Sequence, residues 1–168
     1  MTEFRSRIIN KKNIINILLI VSIFLADRIS KIKVINYILS TNSSIYINDY
    51  LNLDLTWNTG IGFGLFNLDP GMLYHLISAL IFFIIILLIF FAIKATDSEK
   101  ILYSIILGGA LGNFYDRAFY YAVPDFIDIH FNDYHWFTFN IADIFITVGI
   151  IALIIYDFFK INKNYEKN

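Results

Sequence analysis

The chain has 168 residues, of which 58% are hydrophobic and only 16% are charged. Soluble domains carry about 25% charged residues, so this composition indicates a membrane protein. The formal net charge of −1 gives no electrostatic basis for binding nucleic acid. The absence of cysteine excludes disulfides, thiolate metal ligands and a cysteine nucleophile.

Four hydrophobic runs are candidates for transmembrane helices. We therefore predict an all-α integral membrane protein, one polytopic domain over residues 1–168, with approximate spans 12–30, 70–93, 101–121 and 139–159. The clearest run, Gly71 to Ile93, has no Asp, Glu, Lys or Arg in 23 residues and is long enough for the hydrocarbon core. The first run follows a basic start and imitates a signal peptide. Phe24 and Leu25, which flank Ala26, fit a cleavage site poorly, so we interpret this run as an uncleaved span.

The distribution of Lys and Arg predicts the orientation. Nine of the thirteen lie at the amino end, in the 94–100 connection or in the carboxyl tail. Positive residues favour the cytoplasmic side, so we expect both termini in the cytoplasm. Most of the acids, together with Trp57 and Trp136, then lie on or near the outer side.

A small extracytoplasmic β element is predicted between the first two spans, over residues 45–66. Leu51 to Trp57, "LNLDLTW", alternates apolar and polar residues with a period of two, which is typical of a half-buried strand. We expect a small sheet or hairpin that lies on the membrane surface.

Two aspartates are the candidate catalytic pair. Asp143 falls in the first turn of the last span, and an acid within a span is by default a functional hypothesis. Asp125 follows the third span, and antiparallel neighbouring helices would bring the two carboxylates to a similar depth. Two such carboxylates would share a proton, as in an aspartic protease, where one activates water and the other protonates the scissile carbonyl. The alternative is that each acid caps a helix or faces water.

We interpret the other polar residues near the spans as structural neighbours of this candidate pair. Asp116 is the rival partner of Asp143, but the adjacent Arg117 would hold it ionised, so we read Asp116 as structural. Arg117 would either complete that pair or reach towards a substrate carbonyl. Asp27 and Lys31 lie four residues apart and are expected to pair on one helical face. "GGALGN", Gly108 to Asn113, predicts close helix packing through small residues, with Asn113 directed into the bundle.

Four further side chains have the chemistry of metal ligands: Asp128, His130, Asp133 and His135. No helical or hairpin spacing in the sequence fixes them relative to one another. We therefore interpret them as part of a polar outer loop and expect neither a metal nor another cofactor.

Five short motifs, "DRISK", "NTGIGFGLF", "GGALGNFYDR", "VPDFID" and "FNIAD", occur in this order between Asp27 and Gly149. Together they resemble the lipoprotein signal peptidase (type II signal peptidase) family. The resemblance implies an aspartic endopeptidase of the bacterial inner membrane that needs no metal and has its active site near the outer face. Such enzymes remove signal peptides from diacylglyceryl-modified prolipoproteins, cutting before the lipidated cysteine, and are blocked by globomycin. We expect a monomer that meets its substrate within membrane lipid.

The resemblance also assigns residues. It implies that Asp125 and Asp143 are catalytic, and that Asp27 and Lys31 belong to the family's first, supporting motif. The positions that line or support the substrate site are Asn58, Gly60, Gly109, Asn113, Arg117 and Asn140. Two residues depart from the family pattern. Pro124 replaces the usual aliphatic residue before the catalytic aspartate, and Arg28 stands where glutamine is common.

Two other function classes compete with a protease. Acids within spans also mark ion paths, so a small transporter or proton-conducting subunit is one alternative. A purely structural assembly partner is the other. The second span has no acid, so no relay of carboxylates crosses the membrane, and a structural partner does not call for two acids at one depth.

Overall fold

The structure is a computed structural model that describes residues 11–60, 71–132 and 134–165. Within these ranges the chain forms helices and strands in the order α1 (Lys11–Thr41), β1 (Ile45–Asn48), β2 (Leu51–Asn58), α2 (Met72–Lys94), α3 (Asp97–Tyr120), β3 (Val123–Phe131), β4 (Tyr134–Phe139) and α4 (Ile141–Tyr165). The expected combination of a mainly helical chain with a small β element is confirmed.

Three helical segments in the described ranges are long and apolar enough to cross a membrane: Lys11–Thr41, Tyr74–Lys94 and Ile141–Asn162. They correspond to the first, second and fourth predicted runs, although α1 continues well past the predicted end at residue 30. Helix α3 contains the third predicted run. It carries charged residues in both its first and last turns, which lowers its hydropathy, and it is not one of these three segments.

Many large apolar side chains on these helices remain exposed. In α2, the fully buried hydrophobic residues among those described are Tyr74 and Ile85. Apolar faces of this size are unusual on soluble monomers and mark surfaces that meet a membrane or a partner. Together with the three apolar segments, they support a multi-pass membrane protein.

The β element is larger than predicted. The four strands form one antiparallel sheet in the order β1-β2-β3-β4. Strand β2 includes the predicted strand Leu51 to Trp57 and pairs with β3 from Leu51 opposite Ile129 to Asn58 opposite Val123. Strands β3 and β4 form a hairpin in the region that was interpreted as a polar loop, so that interpretation is wrong. Residues 61–66 of the predicted strand region lie outside the described residues.

Helix α3 packs closely against α1 and α4 through its glycines. A Cβ atom on Gly108 would lie 2.7 Å from the Ile23 Cβ on α1, and one on Gly109 would lie 2.5 Å from the Ala142 carbonyl oxygen on α4. These distances leave no room for a side chain. The predicted close packing through "GGALGN" is therefore observed, and it draws the polar residues that follow these glycines towards the start of α4.

Candidate active site

A buried cluster of charges joins α1 to α3. The Lys31 ammonium lies 2.6 Å from the Asp27 carboxylate and 2.7 Å from that of Asp116. Arg28 donates to the other Asp116 oxygen. All four side chains are buried, and their two positive and two negative charges balance, as burial of ions requires. The predicted Asp27–Lys31 pair is observed, whereas the cations beside Asp116 are Arg28 and Lys31 rather than the adjacent Arg117.

This cluster reaches the start of α4 by two routes. The second Asp27 oxygen accepts a hydrogen bond from the Ala142 backbone N–H at 3.0 Å, in the first turn of α4. Lys31 also donates to the Asn113 side-chain oxygen at 3.0 Å. The charges on α1 therefore fix both a backbone donor of α4 and the amide of Asn113.

Asp143 lies in the first turn of α4 and is held from two sides. The Asn113 amide donates to one carboxylate oxygen at 2.7 Å, and the Asn140 backbone N–H donates to the other at 3.1 Å. In return, the Asp143 N–H donates to the Asn140 side-chain oxygen at 3.1 Å. This reciprocal pair has the form of a capping box, so Asp143 does cap the helix, as the alternative interpretation proposed.

Asp125 lies on β3 with 2% of its surface exposed. The Asn58 amide donates to one carboxylate oxygen at 2.9 Å and the Asn140 amide to the other at 2.6 Å. Burial raises the pKa of Asp125 to about 6, and the negative charge of Asp143 contributes to the rise. The two amide donors act in the opposite direction because they stabilise the ionised form.

Asn140 connects the two carboxylates. Its side-chain amide donates to Asp125, while its backbone N–H donates to Asp143. The structure therefore brings together the two acids that the sequence paired. The sequence gives no signal for this bridging geometry, because it depends on where β4 ends and α4 begins.

Asp125 and Asp143 line the same cavity, which has a volume of about 370 Å³. Asn58, Asn113 and Arg117 add polar groups to its lining. The remaining walls are mostly aliphatic, and include Ile81, Ile84, Leu88, Ala110, Ile146 and Ile150. The cavity therefore combines two carboxylates with apolar walls.

The other predicted site residues hold this arrangement in place. The Asn58 side-chain oxygen accepts from the Gly60 N–H at 2.9 Å, and Arg117 donates to the Gly60 carbonyl. A second Arg117 nitrogen, Nη1, is buried and has no hydrogen-bond partner among the described residues, so it is available to an acceptor in the cavity. Gly109 packs against the backbone of Ala142 and makes the helix contact described above.

Two contacts around the site were not predicted. The Tyr74 hydroxyl on α2 donates to the Arg117 carbonyl at 2.9 Å and so ties α2 to the end of α3. Pro124 is also buried. It lies in the first part of β3, which pairs with β2 only, because the pairing of β3 with β4 begins at Ile127. Sheets tolerate proline where one side of a strand lacks a partner, so the unusual residue before Asp125 fits its position.

One group of potential metal ligands lies elsewhere in the described part of the chain. It consists of Asp128, His130 and His135, on β3 and β4. Asp133, the fourth side chain considered from the sequence, lies outside the described residues.

Comparisons with known proteins show the family of this chain. The family model for signal peptidase (SPase) II matches residues 19–159. A lipoprotein signal peptidase from Pelagibacter ubique (strain HTCC1062) is 47% identical over 163 residues, covering 95% of this chain and 98% of the relative. One from Anaplasma phagocytophilum (strain HZ) is 38% identical over 145 residues, covering 86% and 92%. A bacterial membrane enzyme structure, solved by the in meso method at 2.3 Å resolution, superposes with a TM-score of 0.67 at 32% identity, covering 89% of this chain and 90% of the other.

Proposed function

This chain belongs to the signal peptidase II family, and from that premise we propose that it is a membrane aspartic endopeptidase. Membership implies a protease that cleaves the signal peptides of lipoproteins. In our proposal the substrate is a diacylglyceryl-modified prolipoprotein, and the cut falls before the lipidated cysteine. The observation that carries this proposal is the pair of carboxylates bridged by Asn140 in a cavity with apolar walls. Family membership favours it over a transporter or an assembly partner.

In the proposed reaction, Asp125 and Asp143 act as one unit that holds a single proton. The ionised carboxylate removes a proton from water, which attacks the scissile carbonyl, while the protonated partner donates its proton to the carbonyl oxygen. The tetrahedral intermediate then collapses as a proton is returned to the leaving amine. The raised pKa of Asp125, about 6, supports such sharing because it keeps a proton available near neutral pH.

The polar neighbours fit positioning roles in this scheme. Asn58 and Asn140 orient Asp125, and Asn113 orients Asp143. The free Arg117 Nη1 is suited to a substrate carbonyl. Asp27, Lys31 and Asp116 support Asn113 and the start of α4 from the buried cluster.

We also propose the setting of the enzyme. The protein would span the inner membrane of a bacterial cell four times, with α3 as the third span, and the distribution of Lys and Arg supports an orientation with both termini in the cytoplasm. The sheet and the two aspartates would then lie near the outer face. Acyl chains of the substrate would remain in hydrocarbon while its peptide bond meets the dyad, and each buried CH₂ contributes about 0.8 kcal/mol.

The proposal is tested by single-turnover cleavage of a diacylated precursor peptide by the purified protein in detergent. We expect Asp125→Asn and Asp143→Asn each to lower the rate by roughly three orders of magnitude or more, and the double variant to lose little beyond either single one. Asp54→Asn, an exposed aspartate on β2 of the same sheet, is the control and should cleave normally.

Two further arms define the substrate and the chemistry. The unlipidated peptide should be cut poorly, and globomycin should block cleavage of the lipidated one. Near wild-type cleavage by Asp125→Asn or Asp143→Asn would rule out the dyad. Equal turnover of the two peptides would rule out recognition through the lipid.

A further inference from the structure

The β3–β4 hairpin places three potential metal ligands on one face of the sheet. Asp128 and His130 are two residues apart on β3, so their side chains point to the same face. His135 lies directly opposite His130 on β4. Residues directly opposite one another in an antiparallel pair also share a face, so the hairpin register supplies the fixed spacing that the sequence did not reveal.

The ligand atoms lie close together. The His135 Nδ1 is 2.8 Å from the Asp128 Oδ2, and the His130 Nδ1 is 3.5 Å from the same oxygen. All three groups offer an atom within 4.8 Å of the others. A tetrahedral Zn²⁺ with bonds of about 2.0–2.2 Å separates its ligands by about 3.4 Å, so small side-chain rotations accommodate the ion.

Buried polar atoms without partners cluster at this place. Among the described residues, the Asp128 Oδ1, the His130 Nδ1 and the Asn52 Oδ1 are buried and accept or donate no hydrogen bond. Asn52 lies opposite Asp128 across the β2–β3 pair, so it faces the same side of the sheet. Asp128 itself is 3% exposed. A buried polar atom without a hydrogen-bond partner costs free energy. Because all three of these atoms can accept, a cation bound between them would satisfy them together.

From these observations we propose that Asp128, His130 and His135 form a binding site for a divalent transition-metal ion such as Zn²⁺. Two imidazoles and one carboxylate suit Zn²⁺, whereas Mg²⁺ and Ca²⁺ favour all-oxygen sites. The fourth position of a tetrahedral ion would be open to water. The side-chain oxygen of Asn52 is on the correct face to accept a hydrogen bond from that water.

This site is separate from the aspartate pair. Asp125 and Asp128 are three residues apart on β3, an odd separation that puts side chains on opposite faces of a strand. The extra residues of the two β-bulges lie in β2 and β4, so β3 itself keeps its regular alternation between these aspartates. The ion therefore takes no part in peptide hydrolysis. It joins β3 to β4, the two strands that lead from Asp125 to Asn140, and its role is to stabilise that hairpin.

The test uses full-length protein without a histidine tag, purified in detergent and freed of metal with a chelator. The variants are His135→Ala, whose side chain is 61% exposed so that its removal leaves the core intact, and Asp128→Asn. The matched control is His75→Ala on α2, since the chain has three histidines in all. Zn²⁺ affinity is measured by competition with a chromophoric chelator.

We expect the wild type and His75→Ala to bind one equivalent of Zn²⁺, and His135→Ala and Asp128→Asn to bind at least about tenfold more weakly. Co²⁺ should give the visible absorption of a tetrahedral site in the wild type and not in His135→Ala. Zn²⁺ should also raise the Tm of the wild type and His75→Ala but not of His135→Ala, because an ion that binds only the folded state stabilises it by mass action.

Equal Zn²⁺ affinity in the wild type and His135→Ala would overturn the proposal, as would the absence of stoichiometric binding to the wild type. In either case Asp128 and His135 form a hydrogen-bonded pair and no more. Should Asp128→Asn fail to fold, His135→Ala and His130→Gln still decide the outcome. The result is independent of peptide cleavage, so it does not depend on the proposed protease function.

Discussion

A single asparagine organises the two carboxylates. Asn140 ends the β3–β4 hairpin and begins α4, so its side chain and its backbone N–H face different acids. An amide suits this position because it remains neutral and can donate and accept at once. Its side-chain oxygen accepts from the Asp143 N–H, and its nitrogen donates to Asp125.

Replacement of Asn140 by Ala should alter both the rate and its pH dependence. Loss of the donor to Asp125 destabilises the ionised carboxylate, so the pKa of Asp125 should rise above about 6 and the basic limb of the pH–rate profile should move to higher pH. We expect the cleavage rate to fall by roughly two orders of magnitude, because Asp125 loses a donor that orients it and the Asp143 N–H loses its acceptor in the cap of α4. Single-turnover rates between pH 4 and 9 measure both effects.

Asn58→Ala is the matched control for this experiment. It also removes one donor from Asp125, so the profile should move in the same direction, but the cap of α4 remains. Asn58→Ala should therefore lower Tm less than Asn140→Ala does. A profile that stays in place in both variants would contradict the assigned contacts.

The raised pKa of Asp125 also predicts how stability depends on pH. In the folded state the pKa is about 6, above the ordinary value of 3.8, so folding favours the protonated form. The stabilisation is complete below about pH 4 and is lost as pH rises through about 6. The wild type therefore loses stability between pH 4 and 7, whereas Asp125→Asn lacks this titration. The Tm of Asp125→Asn minus that of the wild type should accordingly increase by several degrees over this range. A Tm difference that is constant over this range would refute the assignment.

At the scale of elements, the contact between α3 and α4 sets the position of Asp143. The glycine at 109 allows the backbones of the two helices to touch at Ala142, one residue before Asp143. The same region of α3 carries Asn113, one turn further on, which donates to Asp143. Helix packing and site geometry are therefore coupled through a few small residues.

Gly109→Ala should consequently be costly. Its Cβ would lie 2.5 Å from the Ala142 carbonyl oxygen, a backbone atom that cannot move without shifting α4. We expect a loss of about 1–3 kcal/mol in stability and a larger proportional loss in cleavage rate. Thermal unfolding in detergent and single-turnover cleavage of the same preparation give both values.

Gly149→Ala provides the comparison on α4. Its Cβ would first meet a side-chain atom, the Cγ1 of Ile106, at 2.6 Å, whereas the nearest backbone atom, the Ile106 nitrogen, lies further away at 3.3 Å. This variant should lose less stability than Gly109→Ala and should cleave at close to the wild-type rate. Equal effects of the two substitutions would show that the contact with Ala142 has no special role.

At the scale of the whole molecule, the asymmetry of Lys and Arg predicts the orientation in the membrane. Ser43 and Ser98 are both exposed and lie in connections that we assign to opposite sides. The chain has no cysteine, so a single Ser→Cys substitution introduces a unique thiol. In cells with a permeabilised outer membrane, Ser43→Cys should react with a membrane-impermeant thiol reagent and Ser98→Cys should not. Labelling in the reverse pattern would contradict the orientation.

The sequence by itself determined the membrane class, three of the apolar helices and strand β2, and it indicated Asp125 and Asp143 as a candidate pair. These features follow from local composition and periodicity, or from motifs that are short and continuous. The partners of Asp116 could not be predicted in this way, because Arg28 and Lys31 lie more than 80 residues away on α1.

Only the tertiary structure decided the contacts that depend on register and on the close approach of distant elements. The β3–β4 hairpin converts His130 and His135 from loop residues into opposite neighbours on one face, and the end of β4 aims Asn140 at both carboxylates. The energy of such contacts arises from burial and from the pairing of residues far apart in the sequence, and a short stretch of sequence does not determine either.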